Sequence, residues 1–98
     1  MNGVDLLRCI CDETRFEILE LLQKNGELCV SDLVERLGKD QPLVSHHLGT
    51  LRRCGIVRSR DEGKRAVYAI SSVRLSELIA GVTSASRRMP VLCSDGCC

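Results

Sequence analysis

Aromatic residues are almost missing from this 98-residue chain, which has no Trp, one Phe (Phe16) and one Tyr (Tyr68). That scarcity argues against single-strand nucleic-acid binders, which stack bases on aromatic platforms. Proline is equally sparse, and no internal repeat or low-complexity linker is visible. No apolar run approaches the roughly 18 residues that a membrane-spanning helix needs, so no membrane partner is expected. The opening residues MNGVDLLRCICDETR carry neither a basic n-region nor a long apolar stretch, so a signal peptide is not expected and a cytoplasmic location is. A chain of this length holds one domain with a small core, which an oligomer would supplement.

Net charge is also small, at +1, but it is unevenly placed. Residues 1–40 carry five cationic and nine acidic side chains, a net of −4. Residues 41–65 carry Arg52, Arg53, Arg58, Arg60, Lys64 and Arg65 against Asp61 and Glu62, a net of +4. Concentrated basic charge is what a phosphate-binding face requires, although a solvated helix face with a charged turn gives the same count.

What the chain has in excess is cysteine, seven in all. The count is odd, and no signal peptide accompanies it, so a disulfide scaffold is not expected. Free thiols in a reducing compartment serve as soft-metal ligands, as redox groups or as small buried hydrophobes.

Hydrophobic spacing gives the elements. Val4, Leu7 and Ile10 mark a short opening helix, and Phe16, Leu19 and Leu22 mark a second, with Asp12 or Thr14 at its start and Gly26 beyond its end. Ser31 is a candidate cap for a third helix carrying Leu33, Val34 and Leu37, which Gly38 stops. Asp40 and Pro42 open a fourth, with Val44, Leu48 and Leu51 inward and Gly55 at its end. The period then changes: IVRSRDEGKRAVYAIS is two β-rich runs around Asp61-Glu62-Gly63-Lys64, a hairpin with a basic tip. Leu75, Leu78, Ile79 and Val82 form a last amphipathic helix. The expected fold is mainly α, in the order α-α-α-α-β-β-α, with residues 1–89 as the domain and 90–98 as a Cys-rich tail.

Two short helices, a helix opening DQPLVSHHL and a basic hairpin describe a winged helix-turn-helix. With DETRFEILELL at 12–22, GELCVSDL at 26–33, QPLVSHHLGTLRRCGIV at 41–57 and EGKRAVYAIS at 62–71, the chain resembles the ArsR/SmtB family of metal-responsive repressors. The resemblance spans roughly residues 4–80. It implies a homodimer that binds a palindromic operator and leaves it when a metal or metalloid ion binds. It does not imply an enzyme. Cys54 and Arg60 do match the C-x5-R spacing of cysteine phosphatases, but Cys54 is expected to end a helix rather than sit in a phosphate-cradling loop.

In a recognition helix the N-terminal residues reach base edges. Gln41, Ser45 and His46 are the candidates, Gln41 for adenine and Ser45 for most bases or a phosphate. His47 faces the core side and is read as structural. Arg52 and Arg53 on the helix either reach phosphates or form surface salt bridges, and Arg60, Lys64 and Arg65 on the wing are the stronger candidate phosphate contacts. The apolar faces of helices 4–11 and 72–86 are the expected dimer surface.

The candidate ion site is the tail, where Cys93, Cys97 and Cys98 lie within six residues. Three thiolates suit a soft ion such as As(III) or Sb(III) acting as inducer, with no permanent cofactor. Zn(II) would want a fourth donor, for which Asp95 is available. Elsewhere the family's sensor pattern ELCVCDL reads ELCVSDL here, so Cys29 lacks its second thiol. Cys54 occupies a position where some cadmium- and lead-sensing members carry a thiolate, but their companion thiol is Thr50 in this chain. Cys54 is therefore read as core. Cys9 and Cys11 diverge by about 200° on a helix, so each is left to pair with a thiol from elsewhere. Three readings share this reasoning: a repressor released by arsenite, a Cd, Pb or Hg sensor, and a thiol-redox-responsive repressor. A thiol-rich carrier without a DNA role fits the net +4 segment poorly.

Overall fold

A computed structural model describes residues 1–89; the tail, with Cys93, Cys97 and Cys98, lies outside the described residues. Five helices and one small sheet follow in the order α1 (Gly3–Ile10), α2 (Glu13–Asn25), β1 (Glu27–Cys29), α3 (Val30–Leu37), α4 (Gln41–Arg53), β2 (Val57–Glu62), β3 (Arg65–Ile70) and α5 (Val73–Arg88). The expected α-α-α-α-β-β-α order is present, and the fold is a winged helix-turn-helix. None of the described helices is long and apolar enough to cross a membrane.

Helices α1, α2 and α5 begin where a polar N-cap side chain takes one of the first N–H groups. Asn2 and Asp5 satisfy each other's backbone at the head of α1, at 2.9 and 3.1 Å. Asp12 accepts from the Arg15 N–H at 3.0 Å at the head of α2, and Ser72 from the Leu75 N–H at 3.2 Å at the head of α5. Gly26 (φ 84°) and Gly38 (φ 67°) end α2 and α3 in the left-handed half of backbone space, where a Cβ would be strained.

Helix α3 differs from the sequence reading. It begins at Val30, so Ser31 lies inside it and Cys29 is its N-cap. Asp32, one turn in, accepts from the Cys29 N–H at 3.3 Å and from its thiol at 3.1 Å. The cap role read at Ser31 belongs to Cys29 and Asp32, which flank it: the backbone leaves β1 at Cys29 and turns directly into the helix.

The strand β1 is an addition to the expected hairpin. It pairs antiparallel with β3, with Leu28 opposite Tyr68, and gives the sheet order β1-β3-β2. The hairpin itself pairs Val57 with Ile70 and Glu62 with Arg65. Asp61 and Glu62 are thus strand residues, and the turn is Gly63-Lys64 alone. Gly63 has φ 65°, and among the described residues no non-glycine residue has positive φ, which are the φ signs of a Gly-X hairpin turn.

The core lies where α2, α3, α4 and α5 meet over the sheet. Ile18, Leu19, Leu22, Leu33, Val44, Leu48, Leu51, Ile56 and Ile79 are fully buried, and no polar or charged residue is buried among the described residues. Helix α1 adds only Ile10 to this core and leaves Val4 and Leu7 in solvent.

Candidate nucleic-acid interface

The geometry of α4 follows from its hydrophobic positions. With Val44, Leu48 and Leu51 buried, the opposite face must be exposed at about 100° per residue. Ser45 and His46 lie on that face, and Gln41 stands exposed in the first turn. The start of α4 therefore presents the three residues expected to meet base edges, with the unpaired N–H groups of a helix N-terminus beside them.

His47 is turned away. Its side chain is 13% exposed, and its Nε2 lies 3.8 Å from the Asp12 carboxylate at the head of α2. The structural reading of this histidine holds. Its Nδ1 is buried without a protein partner.

Two arginines end the helix. Arg52 is exposed beside the core face. Arg53, seven residues after His46, returns to the same face two turns later. Its guanidinium donates to the Thr50 hydroxyl at 3.2 Å. A Cβ at Gly49 would meet Nη1 of Arg53 at 3.4 Å, an ordinary contact.

On the wing, Lys64 at the turn and Arg65 after it are exposed. Arg60 is placed otherwise. Its Nε and Nη2 donate to the two carboxylate oxygens of Glu27, each at 2.9 Å, and Nη2 lies 2.9 Å from Glu62. The guanidinium is held well above its ordinary basicity by these two carboxylates, and Glu27 is held below the usual carboxylate range chiefly by the Arg60 hydrogen bond. Arg60 thus ties β2 to β1 rather than standing as a bare cation. Nothing in the sequence separation of 33 residues signals this pair; it appears only once β1 joins the sheet.

The described thiols divide into two environments. Cys29 is buried, with Ser31 Oγ and Asp32 Oδ2 each 3.1 Å from its sulfur. Asp32 is held below the usual carboxylate range by that thiol first and by the Cys29 N–H second. One thiol among hard oxygens does not match a thiophilic ion's sulfur preference. Cys9, left to pair with a thiol from elsewhere, meets Cys54, which was read as core: the two are joined as a disulfide, with Cα atoms 6.9 Å apart. Cys11 is free and exposed. Among the described residues no group of three His, Cys, Asp or Glu is placed to hold a metal ion.

Residues 12–59 match the family model described as bacterial regulatory protein, arsR family. An HTH-type transcriptional regulator of Methanocaldococcus jannaschii is 41% identical over 78 residues, covering 80% of this chain and 88% of that one. An arsenical resistance operon repressor of Escherichia coli is 43% identical over 69% of this chain and 58% of its own length. A cadmium resistance regulatory protein CadC homolog of Staphylococcus aureus is 32% identical over 81% of this chain and 65% of its own. The chain thus spans somewhat under two thirds of these last two relatives. Among solved structures, HlyU from Vibrio cholerae superposes with a TM-score of 0.81 at 35% identity, covering 88% of this chain and 92% of that one. A homodimeric winged helix-turn-helix DNA-binding domain from Mycobacterium bovis gives a TM-score of 0.75 at 29% identity, covering 82% of this chain and 73% of that one.

Proposed function

Because this chain belongs to the ArsR family of transcriptional repressors, we propose that it is a cytoplasmic homodimer that holds a palindromic operator until arsenite, or a similar thiophilic ion, binds its cysteine thiolates. The observation that carries the DNA half is the exposed start of α4 beside a cationic wing turn. Gln41, Ser45 and His46 read bases, while Arg52, Lys64 and Arg65 meet phosphates. Arg60 contributes by fixing the wing against β1, and its own charge is largely neutralised by Glu27 and Glu62.

One recognition helix reads only a few base pairs, so the operator must be read twice. Two copies about 34 Å apart read half-sites one helical turn apart. The faces that pair them are those of α1 and α5, where Val4, Leu7, Leu78 and Val82 are exposed hydrophobics.

The ion half rests on donor chemistry. Cys93, Cys97 and Cys98 offer three soft thiolates, the donor set an arsenite or antimonite ion takes. The relatives named as regulators of arsenical and cadmium resistance support the same class of input here. Allosteric coupling is typically worth about 5–150-fold in affinity, enough to empty an operator held near half-saturation.

The test is operator-binding anisotropy under reducing conditions, titrated separately with arsenite, cadmium and mercuric ion. Arsenite is expected to release the wild-type chain and to leave the variant with all three tail cysteines replaced by Ser bound. Full release of that variant by arsenite sinks the assignment of the tail. Release by cadmium alone moves the reading to a divalent-ion sensor.

A further inference from the structure

Cys9 sits in the last turn of α1, and Cys54 is the residue that ends the recognition helix α4. They are 45 residues apart in sequence, yet the fold brings them into disulfide contact, with Cα atoms 6.9 Å apart. Both side chains are partly buried and pack against the hydrophobic core. Neither belongs to the proposed ion site or to the DNA-facing residues. Disulfides in a reducing compartment are usually transient, so a pair so placed is one that can open and close as the surrounding redox balance shifts.

We propose that Cys9 and Cys54 form a reversible dithiol–disulfide site, closed by exchange with low-molecular-weight disulfides, that couples the redox state to the set of the recognition helix. One thiolate attacks the small disulfide, forms a mixed disulfide and expels one small thiol. The second cysteine then attacks the protein sulfur of that mixed bond and expels the other. The protein loses two electrons and two protons, and the small disulfide gains both as two thiols.

Position gives the bridge its consequence. Helix α1 presents Val4 and Leu7 to solvent on the proposed dimer face, and it reaches the rest of the fold chiefly through α4. Closing the bridge locks the dimer helix to the end of the helix that carries Arg52 and Arg53. The input is separate from the tail thiols, so this inference stands if the arsenite reading fails.

The experiment uses the full chain with Cys93, Cys97 and Cys98 replaced by Ser, reduced, then equilibrated overnight with a graded ratio of oxidised to reduced glutathione. The expected product is two hydrogens lighter, with a proteolytic peptide linking Cys9 to Cys54. Its thermal midpoint is expected to rise by roughly 10 °C or more, because the bridge closes a long loop in the unfolded chain. Operator affinity is expected to shift by about fivefold or more on oxidation. Cys9→Ser and Cys54→Ser should each lose the peptide, the midpoint rise and the affinity shift, while binding operator as the parent does when reduced. Glutathione adducts on Cys9 or Cys54 with no linked peptide, or a bridge from either to Cys11, overturns the site. A linked peptide with unchanged operator affinity overturns the coupling.

Discussion

At the scale of single residues, the wing separates cations that look alike in sequence. Arg60, Lys64 and Arg65 lie within six residues, but only Arg60 has carboxylates on both sides of it. A cation already paired releases few counterions on binding DNA, whereas an unpaired one releases about one. Lys64→Ala and Arg65→Ala are each expected to weaken binding to specific and random DNA alike. Each should lower the slope of log K against log salt by about one. Arg60→Ala should change that slope less, because its loss also frees Glu27 and Glu62. A salt titration of operator affinity checks this, and an equal slope change for all three would overturn the distinction. Base readers behave otherwise. Gln41→Ala is expected to cost about 1–3 kcal/mol of discrimination at one base pair, leaving binding to random DNA nearly unchanged. A panel of operators substituted one base pair at a time shows whether the loss is confined to one position.

At the scale of elements, caps and hydrophobic spacing carried most of the reading, and each carries an energy. Asp12 heads α2, and its carboxyl is held below the usual range, first by the Arg15 N–H and further by His47 and Arg15 charges. The carboxylate's stabilising contribution is therefore present above its ordinary value near 3.8 and is lost as pH falls through the lower folded value. Asp12→Asn keeps the capping oxygen and removes the charge. It should cost a few tenths of a kcal/mol near neutral pH, since a partly exposed charge is screened, and should flatten the acid limb of the stability curve. Urea melts from about pH 2 to 5 test this, and an acid limb unchanged by the substitution below pH 3.8 counts against it. In the same helices, Leu48→Ala should cost about 2–5 kcal/mol, because Leu48 is fully buried and its loss leaves a cavity. The helices are legible because their buried residues repeat at i, i+3, i+4 and i+7, and the hairpin because two β-rich runs flank Asp61-Glu62-Gly63-Lys64, although only Gly63-Lys64 form the turn. Strand β1 was not legible: Glu27–Cys29 is three residues, too short for an alternating pattern, and it becomes a strand only because β3 offers it an edge. The same long-range step hid the Arg60–Glu27 pair and the meeting of Cys9 with Cys54. Local spacing cannot report which distant residues a fold brings together.

At the scale of the whole molecule, the question is what covers the apolar residues that one copy leaves in solvent. Core burial accounts for one face of α5 through Ile79 and for the end of α1 through Ile10. Val4 and Leu7 on α1, and Leu78 and Val82 on α5, remain between 38% and 56% exposed. These are not scattered singly; they fall on the two terminal helices, which flank the helix-turn-helix rather than forming it. A second copy pairing the same faces buries them symmetrically and sets the spacing of two recognition helices. Leu7→Glu and Val82→Glu place a charge in that surface without touching the core of the monomer. Each is expected to convert a sedimenting dimer to a monomer whose circular dichroism and thermal midpoint stay close to the parent's. Operator affinity should fall much further than affinity for a single half-site, because the second half-site contact is lost as an intramolecular event. Sedimentation velocity, run beside anisotropy on full and half operators, reads both effects. A variant that stays dimeric would place the interface elsewhere, and a monomer that still binds the full operator with parental affinity would remove the need for two helices.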